Sequence, residues 1–591
     1  MTTSHDPFKN EIAKIVYQEL MNISQNFSIA FSLKEHEIYN LLTVPPDFSL
    51  GQAALPCFPF AKSFKQAPNK IASELAEKLN KQNKLLISKV NCVNAYLNFY
   101  CDFNELAKNI SQNINSKEFF NRKLLEDSEK DKIVVEYSQP NTHKAMHVGH
   151  LRCLVLGDAV CNLLEYAGNK IVRATYPGDV GNHVAKIIWY LTHPTNKQFP
   201  ATDKTRWLGQ MYAEADEAFK ALKGTANEVE VKKDISEILR QLNNSSGKYY
   251  ELWKETREWS LEELRRIYSW LNSHFDVWYF ESECEAPSKE IVKKKYEEGF
   301  FVKDNGAIGI DLSQWKLGFA MFLKSDGNGL YLTKDIDLIM RKFSDPEVTK
   351  SIYIVDSRQK LHFQQLFKTA ELMGYPQAAK SVHLSYETVN TEDGKPFSSR
   401  QLNGLQLTDL RYKMEEKVTK DYLERYRGQW TDSDIELTAK NITIGALKYG
   451  MLRVDNTTQI NFSLEEWLKL DGDTGPYLQY VHARCCSILE KIGSPKQNSE
   501  FKVTEQYEQE LIFLISRFND FALQGAVQNR PSLIANYLYD LAKSFNRFYE
   551  NCSIKNAEEN IRETRLCLVE CTKEIIFEGL KLLGIPAPHK M

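Results

Sequence analysis

The sequence predicts a multidomain α/β protein: a parallel-sheet domain with a helical insertion, preceded by a small α+β unit and followed by an all-α bundle. Three observations predict it. At 591 residues the chain is too long for a single core. Strand-like and helix-like segments alternate from Lys132 to about residue 410, the pattern of βαβ crossovers. Beyond residue 411 strand patterns all but vanish. Apolar residues there recur every three or four positions, as at Leu533, Tyr537, Leu541 and Phe545.

In chain order, residues 1–128 form the α+β unit. Residues 71–79 have helical periodicity, residues 95–100 alternate like a strand, and the polar run 126–132 reads as a linker. Residues 129–410 form the Rossmann-like domain. An apolar strand at 133–137, a helix at 151–167 stopped by Gly168-Asn169, and a strand at 171–175 make one βαβ unit. Long charged helical stretches interrupt the alternation between about 195 and 295, marking an insertion. The pattern resumes with a strand at 351–355, a helix at 362–373 stopped by Gly374, and a strand at 382–389 that runs into the loop 390–400. Residues 411–591 form the helical domain, and no period of 20–50 residues suggests a solenoid.

Composition excludes several classes. With 42% hydrophobic and 26% charged residues and a mean hydropathy of −0.44, the chain is neither disordered nor fibrous. A net charge of −3 assigns no partner by itself. Residues 1–18 lack the basic and apolar pattern of a secretory signal, and no apolar run approaches membrane-spanning length, so no membrane contact is expected. The eleven cysteines are scattered without a C-x-x-C pair, as for buried thiols in a reducing cytoplasm, and no zinc-like spacing occurs.

The stretch Pro140-Asn141-Thr142-His143-Lys144-Ala145-Met146-His147-Val148-Gly149-His150 carries the chemistry. A strand feeding a helix through such a turn is a phosphate-handling geometry, because the helix start offers unpaired N–H groups and a positive dipole end. Gly149 admits close backbone approach, and His147 and His150 can donate to oxygens that gain charge in a transition state. The bland alternative is that these histidines only cap the helix. Downstream, Gly394-Lys395-Pro396-Phe397-Ser398-Ser399-Arg400 offers a tight turn, the cations Lys395 and Arg400, and the hydroxyls of Ser398 and Ser399. Alone it reads as a solvated turn. Within one α/β domain the two loops converge on a nucleotide site at the topological switch point.

Val135-Glu136-Tyr137-Ser138-Gln139-Pro140-Asn141, then Lys144 and His147-Val148-Gly149-His150-Leu151-Arg152, resembles the first motif of class I aminoacyl-tRNA synthetases in its arginyl form. Gly394–Arg400 resembles a degenerate form of the second, KMSKS, motif. The likeness continues through Ala54-Leu55-Pro56-Cys57-Phe58-Pro59-Phe60-Ala61-Lys62, Lys324-Ser325-Asp326-Gly327, Tyr331-Leu332-Thr333-Lys334-Asp335, Gly475-Pro476-Tyr477-Leu478-Gln479-Tyr480, Phe545-Asn546-Arg547-Phe548-Tyr549 and the final Gly584-Ile585-Pro586-Ala587-Pro588-His589-Lys590-Met591. Aligned on its first serine, the second motif has Pro396 where the class commonly has its first lysine and Ser399 in place of the second. The resemblance implies that Lys144 supplies the missing charge.

It further implies arginine–tRNA ligation through an arginyl-adenylate, with L-arginine, tRNA(Arg) and ATP as substrates, Mg2+ as the counterion of ATP, and no protein-bound metal. His147, Gly149, His150 and Lys144 would hold ATP; Lys395, Ser398, Ser399 and Arg400 would clamp its outer phosphates. Glu136, Asn141, Tyr331, Asp335 and Gln359 match positions that line the family's arginine pocket, where carboxylates suit a planar five-donor cation. Asp335 lies one helical turn after Tyr331, so the two can share a face. The helical domain implies anticodon binding, with Tyr477, Tyr480, Arg484 and Tyr549 as stacking groups and Met591 close by. The N-terminal unit implies contact with the tRNA elbow, for which Lys62, Lys65 and Lys70 are the candidate RNA contacts, the alternative being that they form a solvated face. A cytoplasmic monomer is expected. Two other readings stand beside this one. A class I synthetase for another amino acid, such as cysteine, is disfavoured by the missing zinc cysteines and the acidic pair Glu136 and Asp335. A non-catalytic tRNA-binding paralogue is supported only by the degenerate second motif.

Overall fold

A computed structural model describes residues 6–26, 31–122, 124–193, 197–395, 397, 406–496 and 500–591. In the N-terminal unit the helix Pro68–Asn80 starts with proline at its first position and buries Ile71, Ala72, Leu75, Ala76 and Leu79 along one face. It packs on a three-stranded antiparallel sheet whose middle strand, Tyr96–Cys101, buries Leu97, Phe99 and Cys101 by alternation.

The central domain is built on a five-stranded parallel sheet. Across it the strands run Val382–Tyr386, Val348–Asp356, Lys132–Glu136, Lys170–Thr175 and Val277–Trp278. Numbered by appearance this is 5-4-1-2-3, so the order reverses between the first and fourth strands and leaves a crevice at their C-terminal ends. On the first strand Ile133 and Val135 enter one core and Val134 the other, because a parallel sheet is covered on both faces. The helix Val148–Tyr166 is buried on nearly every side. It packs between the sheet and the C-terminal helices Asp432–Leu452, Phe518–Gln528 and Glu559–Leu582. Gly157 permits this closeness, since a Cβ there would lie 2.1 Å from the Tyr137 ring.

Three helices, Lys204–Leu222, Glu228–Asn243 and Lys248–Trp270, occupy most of the stretch read as an insertion. Val277–Trp278, within the same stretch, returns to the parallel sheet as its edge strand, and two residues are too few to produce an alternation signal. An antiparallel meander (Val302–Asp304, Ala307–Asp311, Phe319–Leu323) follows, where periodicity suggested nothing. The strand expected at 382–389 ends at Tyr386. Val389–Asn390 pairs instead with Ile460–Asn461, a two-residue strand inside the otherwise helical C-terminal region. All eleven cysteines are free and ten are buried. Among the described residues no helix is long and apolar enough to cross a membrane.

Candidate active site

The loop 137–147 leaves the first strand at the crevice. It passes through two left-handed residues, Ser138 (φ 56°) and His143 (φ 65°). Thr142 N donates to Gly178 O at 2.9 Å and Gly178 N to Pro140 O at 3.2 Å, tying this loop to the one after the second strand. A Cβ at Gly178 would lie 2.4 Å from Asn141 Oδ1, so any larger residue there would displace the Asn141 side chain. His143, which the sequence reading assigned no role, is buried. One ring nitrogen is 2.9 Å from Thr142 Oγ1 and the other 2.9 Å from Thr256 Oγ1 on the insertion helix Lys248–Trp270. It pins the loop rather than facing the crevice.

His147 and His150 do cap their helix. Gly149 N donates to His147 Nδ1 at 3.1 Å, and His147 N donates to His150 Nδ1 at 3.2 Å, a reciprocal box. Capping does not spend their chemistry. With Nδ1 accepting, the neutral rings carry their protons on Nε2, which remains a donor. Burial pushes His147 down to about 4 and His150 to about 3, and the Lys144 charge adds to both, so the rings are neutral at pH 7. Lys144 is half-buried, with Nζ 4.8 Å from the Tyr212 ring centroid on the insertion helix Lys204–Leu222. It has no acidic partner at ion-pair distance among the described residues.

The acidic side of the crevice differs from expectation. Glu136 is buried and already ion-paired with Lys342, whose Nζ lies 3.6 Å from the Tyr353 ring centroid; Gln139 Nε2 also donates to Glu136 Oε1 at 3.2 Å. Asp335 Oδ2 lies 2.6 Å from His362 Nε2. Glu281, missed in the sequence reading, opens the helix Glu281–Glu297 beside Asn141 and Gly178, with Oε2 2.8 Å from Lys334 Nζ. Burial raises the Glu281 carboxyl, and Asp335 and Asp179 add to the rise against Lys334. Tyr331, at the first position of its helix, is 79% exposed and so is not enclosed with Asp335. Gln359 is exposed at the end of the turn Ser357–Gln359. No local pattern marks Lys342, His362 or Glu281, since each meets its partner from a distant segment.

Of the second motif, Lys395 is exposed and paired with Asp393 at 2.7 Å, which raises its ammonium above the usual value. Ser398, Ser399 and Arg400 lie outside the described residues. Phe397 approaches the first motif: its ring is stacked at 19° and 6.3 Å from that of His147. A cleft of about 820 Å³ opens from Asn141 and Lys144 toward Trp270, Gln406, Arg411 and Tyr412, with the Arg411 guanidinium 5.3 Å from the Trp270 ring and 5.6 Å from that of Tyr412.

A second cleft, about 1450 Å³, lies in the C-terminal domain and is lined by Tyr480, Arg484, Tyr549 and Met591, with Trp430 and His589. Arg484 organises it, donating to Tyr480 Oη at 2.6 Å and Asn546 Oδ1 at 3.2 Å and standing 5.5 Å from the Tyr549 ring. Tyr477 is not on its wall; its hydroxyl accepts from Asn546 Nδ2 at 2.8 Å. Lys62, Lys65 and Lys70 are exposed on the N-terminal unit.

Three family models match the chain: "Arginyl tRNA synthetase N terminal domain" over 10–101, "tRNA synthetases class I (R), catalytic domain" over 111–464 and "DALR anticodon binding domain" over 478–591. An arginine–tRNA ligase of Bdellovibrio bacteriovorus is 42% identical over 564 residues, 95% of this chain and 96% of that protein. One from Clostridioides difficile is 32% identical, covering 96% of this chain and all of that one. The solved arginyl-tRNA synthetase of Thermus thermophilus superposes with a TM-score of 0.80 at 26% identity, over 98% of this chain and 99% of that one.

Proposed function

We propose, on the premise that this chain belongs to the class I arginyl-tRNA synthetase family, that it joins L-arginine to tRNA(Arg) through an arginyl-adenylate, converting ATP to AMP and pyrophosphate. One observation carries the substrate choice. Glu136, Glu281 and Glu285 each have a lysine at ion-pair distance (Lys342, Lys334 and Lys289), whereas Asp335 has, among the described residues, only an imidazole at that distance. Asp335 is therefore the carboxylate left for the guanidinium, with Glu281 and Asn141 beside it as further acceptors. Glu136 contributes mainly through the position of its ion pair, and Tyr331 and Gln359 form the rim.

ATP lies at the start of the helix Val148–Tyr166, its α-phosphate facing the N–H groups and the Nε2 donors of His147 and His150. The arginine carboxylate oxygen attacks the α-phosphorus, and the bond to the pyrophosphate oxygen breaks. Lys144, beside both histidines, stabilises the charge that leaves; Lys395, Ser398, Ser399 and Arg400 clamp the outer phosphates, and Mg2+ arrives as the counterion of ATP. A ribose hydroxyl of the tRNA then attacks the acyl carbon and expels AMP. Positioning and charge do this work, without a protein nucleophile.

The 820 Å³ cleft suits the single-stranded tRNA end, because the exposed Tyr412 ring and the Arg411 guanidinium, backed by the buried Trp270, offer stacking faces on the way to Asn141. The 1450 Å³ cleft takes the anticodon. In this reading residues 1–128 meet the tRNA elbow, 129–410 perform the chemistry and 411–591 read the anticodon, in a cytoplasmic monomer. The test is charging of total tRNA with each labelled amino acid: arginine alone should be incorporated. RNA binding without charging would overturn the ligase reading in favour of a non-catalytic paralogue.

A further inference from the structure

We propose that Arg152 is a positioning residue that sets Lys395 and Phe397 against His147 by gripping the Asp455–Asn456 turn. The proposal rests on the ligase reading for its kinetic consequence alone.

Arg152 follows His150 by two residues on the same helix and is 2% exposed. Its Nη2 donates to Asp455 O and to Asn456 O, both at 3.1 Å. Its Nη1 is buried without a hydrogen-bond partner among the described residues. The Asp455 carboxylate is engaged elsewhere, with Arg530 at 2.7 Å and Thr457 Oγ1 at 2.6 Å. The cation is thus held in the interior directly by two peptide carbonyls, with no carboxylate at ion-pair distance among the described residues and only the longer-range charges of Glu387 and Asp455 to favour it, an arrangement that costs desolvation an apolar side chain would avoid. What it provides is a planar fork spanning two consecutive carbonyls, which a flexible ammonium does not reproduce.

The gripped turn connects through a strand pairing to Lys395 and Phe397. Asn456 O also accepts from Glu387 N at 3.0 Å, and its side chain donates to Asn529 O at 3.1 Å. Next, Ile460 N donates to Thr388 O at 3.2 Å and Phe462 N to Asn390 O at 2.9 Å, within the pairing of Val389–Asn390 with Ile460–Asn461. That strand enters the turn closed by Thr391 N and Lys395 O at 2.8 Å. Phe397 then closes the circuit, its ring between those of His147 (6.3 Å) and Phe462 (6.4 Å). A shift at Asn456 moves Lys395 and Phe397 relative to His147. The Asp335–His362 pair lies outside this circuit.

The test combines ATP–pyrophosphate exchange at saturating tRNA with hydrogen exchange of the Ile460 and Phe462 amides in Arg152→Met and Arg152→Lys. Misplacement of reacting groups by about 1 Å costs about 10²-fold in rate. Arg152→Met should lose about 10–100-fold in kcat and raise the KM for ATP, with the KM for arginine within about threefold and both amides deprotected. Arg152→Lys should recover part of each effect. Wild-type kinetics and protection in folded Arg152→Met would overturn the proposal, as would equal rises in KM for arginine and ATP. If Arg152→Met does not fold, Arg152→Lys decides on the same criteria. Should the wild-type protein fail to charge arginine, the ligase reading falls, while the amide protection still reports on the grip.

Discussion

His362 Nε2 lies 2.6 Å from Asp335 Oδ2, and the pair joins the helix Lys360–Leu372 to the helix Tyr331–Lys342 across the mouth of the crevice. The imidazole nitrogen fixes the orientation of the Asp335 carboxylate. Asp335→Ala should raise the KM for arginine by about 10²–10⁴-fold, in line with roughly 3–5 kcal/mol for breaking a buried charge pair, while the KM for ATP stays within about threefold. His362→Ala should cost about 10–150-fold, the worth of about 1.5–3 kcal/mol for one hydrogen bond to a charged group. Exchange kinetics at saturating tRNA measure both. Equal effects of Asp335→Ala on the two substrates would remove Asp335 from the arginine site.

Lys342 and Glu136 form a pair that stabilises only while both are present. Lys342→Met leaves an uncompensated buried carboxylate and should destabilise the protein by about 3–5 kcal/mol. Adding Glu136→Gln should return much of that stability without restoring activity. Chemical denaturation of the two variants decides; a double variant no more stable than the single one contradicts the pairing.

Lys144→Ala should lower exchange about 10²–10³-fold, the usual effect of deleting one electrostatic stabiliser of a transition state. Near-wild-type exchange would show that the charge absent from the second motif is supplied elsewhere.

Acid should begin to destabilise the fold above the ordinary carboxylate range. Burial holds His143 and His150 near 3 and His147 and His183 near 4, all below the ordinary value of 6.5. Above pH 6.5 these rings are neutral in both states and contribute no pH dependence. As pH falls from 6.5 toward 4 the unfolded chain takes up protons that the native state refuses, so stability drops by up to about 1.4 kcal/mol per unit for each histidine. The melting temperature should fall over that window, less steeply in His150→Gln. A flat profile from pH 6.5 to 4.5 would contradict this.

Arg484→Ala should release Tyr480 and Asn546 and weaken tRNA binding by about 1–3 kcal/mol, the worth of one stacked base. Steady-state charging should show a KM for tRNA raised about 10–100-fold, with exchange at saturating tRNA unchanged. An unchanged KM for tRNA would exclude the cleft from anticodon binding.

Sequence alone determined the parallel-sheet domain, its helical C-terminal neighbour and the loop 137–150, because periodicity, Gly168 and Gly374 as helix stops, and the strand–turn–helix order are local properties of the chain. It also placed His147 and His150 at a helix start, where capping occupies each Nδ1 and leaves each Nε2 as a donor. Tertiary structure alone decided the pairings. Lys342 meets Glu136 across 206 residues, His362 meets Asp335 across 27, and Arg152 meets Asn456 across 304. Spacing in sequence carries no information about such distances, and which carboxylate remains free for a substrate depends on which lysines the packing delivers. The two-residue strands Val277–Trp278, Val389–Asn390 and Ile460–Asn461 were hidden for a related reason. They exist because neighbouring strands hold them, not because their own residues alternate.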